Sequence, residues 1–360
     1  MRISRPASYA LGVLAAAALL AGCSNGGSQS SGFAPGAGMN QTHVAGPMAR
    51  HHGLADTNLA VRPIAEVHPD HHKSWVSPDV KGLPRLYFAS DSGTNDVYIF
   101  SMPSMKLKGT LTGFSEPQGE CSYKGNIYIA NTGGDQVLEY SRTGTLLNTY
   151  SDSYGYPVGC AVNPMNGDLA VTDIFGFSGA GQVLVYTSPS SSPTVLSNPN
   201  QYYYYFDGYD KSGNLWVSGK DASGTYMVSD CSASSCSTVS LSGGTIYFPG
   251  AVQYDGVRGN WVLFDQECGG ATAACSYPVS SSGVLGTATV YDNYNGTAAC
   301  DIVQGVIAAN GKKYVAGGDY EYCGNASTSA SRWAYPAGGT PTNYTTSSVS
   351  EPIGAAISSQ

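Results

Sequence analysis

Asn166-Gly167-Asp168-Leu169-Ala170-Val171-Thr172-Asp173, followed after a short connection by Gln182-Val183-Leu184-Val185-Tyr186, sets an Asn-Gly turn and two short β-branched runs in a row. Runs of this length, rich in Val and bounded by Gly, Asn and Asp, read as strand, turn, strand, and are too short and too finely punctuated for helices. Working outward, the same order recurs six times after residue 80. Each segment has a first strand, a turn, a second strand, a third, and then a Pro-Gly or Asp-Gly turn into a fourth. The first strands are expected at 86–90, 126–131, 168–173, 214–219, 260–265 and 312–317, so that successive starts lie 40, 42, 46, 46 and 52 residues apart. The second strands are expected at 97–101, 137–141, 183–187, 225–230, 275–280 and 332–337. A period in the forties with four strands per unit is the spacing of propeller blades.

Composition agrees. Only 12% of the 360 residues are charged, while glycine reaches 46 and tyrosine 26. Long amphipathic helices need many more Lys, Arg and Glu, so an all-helical chain is excluded and a turn-dense, all-β chain is expected. With 17 basic against 25 acidic side chains the net charge is −8, and no basic run occurs. A groove that tracks nucleic-acid phosphates is therefore not expected.

Pro157-Val158-Gly159 together with the run 166–173 and 182–186 resembles a degenerate NHL repeat. Pro117-Gln118-Gly119 with Asn126-Ile127-Tyr128-Ile129-Ala130-Asn131 is the next best match, and weaker echoes extend the resemblance over about residues 85–360. The resemblance implies a six-bladed β-propeller of the kind shared by NHL, SMP-30-like, strictosidine-synthase-like and YVTN-type proteins. Those proteins do different things, so blade architecture follows from the likeness and activity does not. The final stretch, Glu351-Pro352-Ile353-Gly354-Ala355-Ala356-Ile357-Ser358, matches the strand that precedes each new repeat, yet no repeat follows it. The first repeat opens at Leu86 with no such strand before it. Pairing the two closes the ring, with the C-terminal strand innermost in the blade supplied by the N-terminus, and leaves no exposed sheet edge. A β-sandwich or open solenoid is the competing architecture.

Ahead of the repeats, Arg2 and Arg5 precede an apolar stretch from Ala10 to Leu20, too short for a stable membrane span and suited to a secretory signal. It ends in Leu20-Ala21-Gly22-Cys23, which resembles the lipobox of bacterial lipoprotein signals. That likeness implies a cleaved peptide at 1–22, acylation of Cys23, and anchoring in the cell envelope at the outer membrane or cell surface. An ordinary signal with an incidental cysteine is the alternative. Residues 23–80 carry no apolar periodicity and hold all six histidines, from His43 to His72. They are expected to be a tether spanning on the order of 40 Å, with the segment from Trp75 to Lys81 folding back onto a propeller at 81–360.

Lipidation of Cys23 leaves eight cysteines, an even set in an oxidising compartment. With no C-x-x-C and no histidine near them, disulfides are expected in place of a zinc cluster. The blade frame suggests Cys121 with Cys160 between neighbouring blades, Cys231 with Cys236, Cys268 with Cys275, and Cys300 with Cys323.

Propellers place ligands at the channel mouth, where the first strands end. Asp91, Asn131, Asp173, Asp265 and Asp319 stand at those ends, with Glu120 and Asp301 on expected inner strands. Glu120, Asn131, Asp173, Asp265, Asp301 and Asp319 form a set of hard oxygen ligands suited to Ca²⁺, as in SMP-30-like lactonases. Asp and Asn also cap tight turns after strands, and that simpler role is favoured. No histidine follows His72, which excludes His-dependent zinc sites, Ser-His-Asp triads and His-dependent lyases from the repeats. No P-loop or dinucleotide fingerprint occurs. Tyrosine is the remaining signal: Tyr202-Tyr203-Tyr204-Tyr205 can present at most half its rings to one surface, and Tyr203 and Tyr320, with Asp91, are the ligand contacts expected. The sequence thus reads as a lipid-anchored propeller acting as a binding or interaction module for a protein, peptide or carbohydrate. A calcium-dependent lactonase-like hydrolase and a structural envelope protein are the alternatives.

Overall fold

The protein is described from a computed structural model covering residues 73–232, 234–270, 273–308, 314–320 and 328–360. The signal peptide, Cys23, the tether histidines and Cys323 lie outside the described residues. Each expected repeat forms an antiparallel sheet, and six sheets make a propeller. Blade 2 contains Pro117–Tyr123, Asn126–Asn131, Gln136–Tyr140 and Leu146–Ser151 from axis to rim. Blade 3 contains Gly155–Val162, Leu169–Gly176, Gly179–Tyr186 and Thr194–Leu196, and blade 4 contains Tyr203–Tyr209, Leu215–Lys220, Tyr226–Cys231 and Cys236–Val239. Blade 5 is built from Pro249–Asp255, Asn260–Asp265, Cys275–Val279 and Thr289–Val290, and blade 6 from Gly305–Ile307, Tyr314–Asp319, Ser329–Ala334 and Gly338–Thr345. The expected first strands are thus the second from the axis, behind the strand that each Pro-Gly or Asp-Gly signal introduces.

Blade 1 closes the ring. Its own strands, Arg85–Asp91, Asp96–Ser101 and Lys106–Leu111, receive the C-terminal Ala356–Ser359 on the inner side, in the register Arg85↔Ser359 to Phe88↔Ala356. On the outer side Trp75–Val76 pairs with the third of those strands and covers its edge. The fold-back expected of this segment is therefore a fifth strand, followed by a short 3-10 turn that buries Val80.

Alternation along each strand builds the core. Leu86 and Phe88 face Ile127 and Ile129 of blade 2, whereas Tyr87 and Ala89 face Tyr314 and Ala316 of blade 6. Successive side chains point to opposite faces, so every blade buries both faces and one apolar cluster fills each gap between neighbours. Trp216 of blade 4 stacks on Trp261 of blade 5 at 4.6 Å in one such gap. The glycines of the Pro-x-Gly signals have a matching cause. A β-carbon at Gly119 would fall on the Val158 carbonyl of the next blade, and one at Gly354 on the Gln118 carbonyl. Glycine there lets neighbouring inner strands approach backbone to backbone.

Three of the four suggested disulfides are present. Cys121–Cys160 ties the inner strands of blades 2 and 3 with Cα atoms 5.6 Å apart. Cys231–Cys236 bridges a hairpin, and Cys268–Cys275 closes a loop of blade 5.

Candidate functional site

In every blade the inner strand begins, and the second strand ends, on the same face of the ring, because the two are antiparallel neighbours. That face carries the channel mouth. Of the expected ligand set, Asp91 is fully buried there. One of its oxygens accepts hydrogen bonds from the Gly93, Thr94 and Glu351 amides, and the other accepts from Ser350, so it pins the C-terminal segment to blade 1. Asn131 accepts from the Ser115 amide at 2.7 Å. Asp265 accepts from the amides of Phe248, Glu267 and Tyr247, and Asp319 accepts from that of Cys300. These side chains organise the turns into their own blades. Burial raises the Asp91 and Asp265 carboxyls above the usual range, opposed by the amide bonds they accept.

Asp173 behaves differently. Its carboxyl meets that of Asp152, and burial followed by the repulsion of this neighbour pushes it well upward, while Gln182 donates to it at 3.0 Å. Two carboxyls in contact in a buried site resist ionising together. Glu120 lies on the inner strand of blade 2 and accepts from the Ser90 hydroxyl of blade 1; burial pushes it up to about 8, so it is a neutral acid at pH 7. Asp301 is also buried but sits before the inner strand of blade 6 and not on it, and its carbonyl accepts from the Tyr320 amide. Among the described residues no three His, Cys, Asp or Glu side chains are placed to hold one metal ion. The acidic donors expected for Ca²⁺ are therefore not gathered at one point among the described residues.

The side chains that do converge are apolar and aromatic. Val158, Tyr205, Phe206, Phe248, Val303 and Ile353, from five blades, form a buried cluster across the axis at the mouth. Below it Gln304 spans the ring, accepting from the Glu120 and Ala355 amides at 2.9 and 2.8 Å and donating to the Glu120 carbonyl at 2.7 Å. Around the cluster Tyr156, Phe175, Tyr203 and Tyr320 are half-buried. Phe177, Tyr156, Phe175, Tyr203 and Tyr202 form one chain of ring contacts, with centroids 4.9 to 6.4 Å apart, running from blade 3 to blade 4. Phe177 is 41% exposed, so the chain opens to solvent at its edge.

One cation stands in this basin. The Lys220 ammonium lies 3.8 Å from the centre of the Phe248 ring and makes no ion pair among the described residues. Burial lowers its pKa, against the opposing pull of Glu267 and Asp265. Of the tyrosine run, Tyr203 lies half-buried at the rim of the cluster, while Tyr204 and Tyr205 are consumed by packing. Tyr320 is also at the rim, its hydroxyl 3.3 Å from Glu351. Sequence reading missed Tyr156, Phe175, Phe177 and Gln304. Phe175 and Phe177 carried a signal, as aromatics flanking Gly176 just past the expected strand end at residue 173.

No protein family and no curated protein matches the chain. Solved structures do match in fold. A protein of unknown function from Bacteroides caccae aligns at a TM-score of 0.58 and 14% identity, over 77% of this chain and 100% of its own. A chain of a nidogen/laminin complex aligns at 0.57 and 11%, over 76% and 98%. At such identities the likeness is one of fold, and it agrees with the six-bladed ring.

Proposed function

We propose that this chain is a lipid-anchored, extracytoplasmic propeller that acts as a binding module for a protein or peptide, with the aromatic basin at the channel mouth as its contact surface. The observation that carries the reading is the convergence of Tyr156, Phe175, Phe177 and Tyr203 beside half-buried Lys220, whose ammonium makes no ion pair among the described residues. Rigid aromatic rings and one desolvated cation are the composition of binding hot spots, where a few anchors supply most of the affinity. The structural neighbour from the nidogen/laminin complex belongs to a protein–protein assembly, which agrees in kind.

The test places a photo-crosslinking residue at Tyr203 in the full-length chain and a second one at exposed Tyr344 on the outer strand of blade 6. Crosslinks to one envelope protein should form at position 203 only, and Lys220→Ala should weaken them at least tenfold. Equal crosslinking at both positions, or none at 203, would refute the basin. Replacing Cys23 by Ser should release the chain from membranes; fractionation that leaves the variant membrane-bound removes the anchor.

A further inference from the structure

On the face opposite the mouth, blades 3 and 4 part to leave a groove of about 680 Å³. It lies between the turn that joins the first two strands of blade 3 and the corresponding turn of blade 4. This size falls within the roughly 300–1,000 Å³ of small-molecule sites. One wall is apolar, made by Val185 and Leu215, and the half-buried ring of Tyr209 stands beside it. The rest is polar. Asn163 spends its side-chain oxygen on the Met165 amide, which leaves its NH₂ group for a ligand. The Tyr209 hydroxyl makes no hydrogen bond within the described residues, and the carboxylates of Asp168 and Asp230 complete the rim.

We propose that this groove binds a short, uncharged oligosaccharide. The choice follows from what the lining offers and what it refuses. No Lys or Arg lines the groove and two carboxylates do, so phosphates, sulfates and uronic acids meet repulsion with nothing to compensate it. The donors and acceptors are too numerous for a purely apolar ligand, which would leave them unpaired. A sugar presents hydroxyls that both donate and accept, and its C–H face packs on an aromatic ring. Asp168 and Asp230 then accept from hydroxyls, the Asn163 amide donates, and Tyr209 stacks and bonds at once. The groove and the mouth share no residue, so this proposal does not depend on the basin.

The experiment screens the full chain against an array of neutral di- to tetrasaccharides, uronic-acid oligosaccharides of equal length, and spermine, followed by calorimetry with the tightest neutral binder. A neutral sugar should bind selectively. Asp168→Asn and Tyr209→Phe should each raise its Kd about tenfold, the loss of one charge-assisted or one hydroxyl contact, while leaving the melting temperature unchanged. Lys220→Ala at the mouth should leave this Kd unchanged and weaken only the partner crosslinks. The proposal is overturned by the absence of any neutral binder below about 10 mM, by preference for uronates or spermine, or by undiminished binding in well-folded Asp168→Asn and Tyr209→Phe.

Discussion

Replacing Gln304 by Leu tests the idea that the axis of this propeller is held by one side chain. Gln304 is 5% exposed and joins three blades: it accepts from the amides of Glu120 in blade 2 and Ala355 in blade 1, and donates to the Glu120 carbonyl. Those partners lie on the channel side of inner strands, where no further strand can satisfy them. Leucine has similar volume and no polar atom, so the substitution orphans two buried N–H groups and one carbonyl with little change in packing. Each orphan costs about 1–3 kcal/mol, and partial access of water through the channel puts the total at about 3–6 kcal/mol. For a domain of this size each kcal/mol lowers the melting temperature by about 2 °C, so calorimetry should show a fall of roughly 6–12 °C. Asn343→Leu, which removes two exposed side-chain bonds on the outer edge, one donated to the Pro103 carbonyl and one accepted from the Tyr344 amide, should stay within about 0.5 kcal/mol of the parent. A Gln304→Leu variant melting within about 2 °C of the parent would refute the axial role.

Two further predictions concern the buried acids and the covalent tie. Glu120 has a folded-state pKa near 8 against 4.5 for the free side chain, so its contribution is fully present below pH 4.5 and is lost as pH rises towards 8. The melting temperature should fall from pH 5 to pH 8, and Glu120→Gln should make the slope shallower by about one proton's worth, 1.4 kcal/mol per pH unit; an identical slope in the variant would show that Glu120 does not titrate there. Asp173 and Asp207, also raised by burial, add slope of the same sign. Replacing both Cys121 and Cys160 by Ser opens a loop of 39 residues' separation and should cost about 4 kcal/mol by loop-closure entropy. Unchanged chemical denaturation would show that this bond adds nothing to the packed blades.

The local pattern was enough for the blades. Short β-branched and aromatic runs such as 126–131 and 260–265 can bury both faces only as strands within a stack, and the observed Asn126–Asn131 and Asn260–Asp265 coincide with them. The unmatched final strand likewise required the missing inner edge of blade 1, because a backbone edge left unpaired is costly wherever it is buried. Three disulfides followed from that frame, since register brings Cys121 beside Cys160 and sets Cys231 opposite Cys236.

What each polar side chain does was decided only in three dimensions. Asp265 and Asp173 occupy equivalent places in the repeat, yet one is tied to backbone amides and the other meets the carboxyl of Asp152, whose repulsion adds to burial in raising it. The difference comes from the neighbouring loop, which is 21 residues away in sequence for the second pair. Gln304 and Lys220 belong to blades 6 and 4 and meet Glu120 and Phe248 only when the blades pack around the axis. Repeat period and alternation are properties of neighbouring residues, so a sequence displays them. The mouth, the axis and the groove are made of side chains from different blades, and their composition is set by how the blades are rotated about a common centre, which no single repeat encodes.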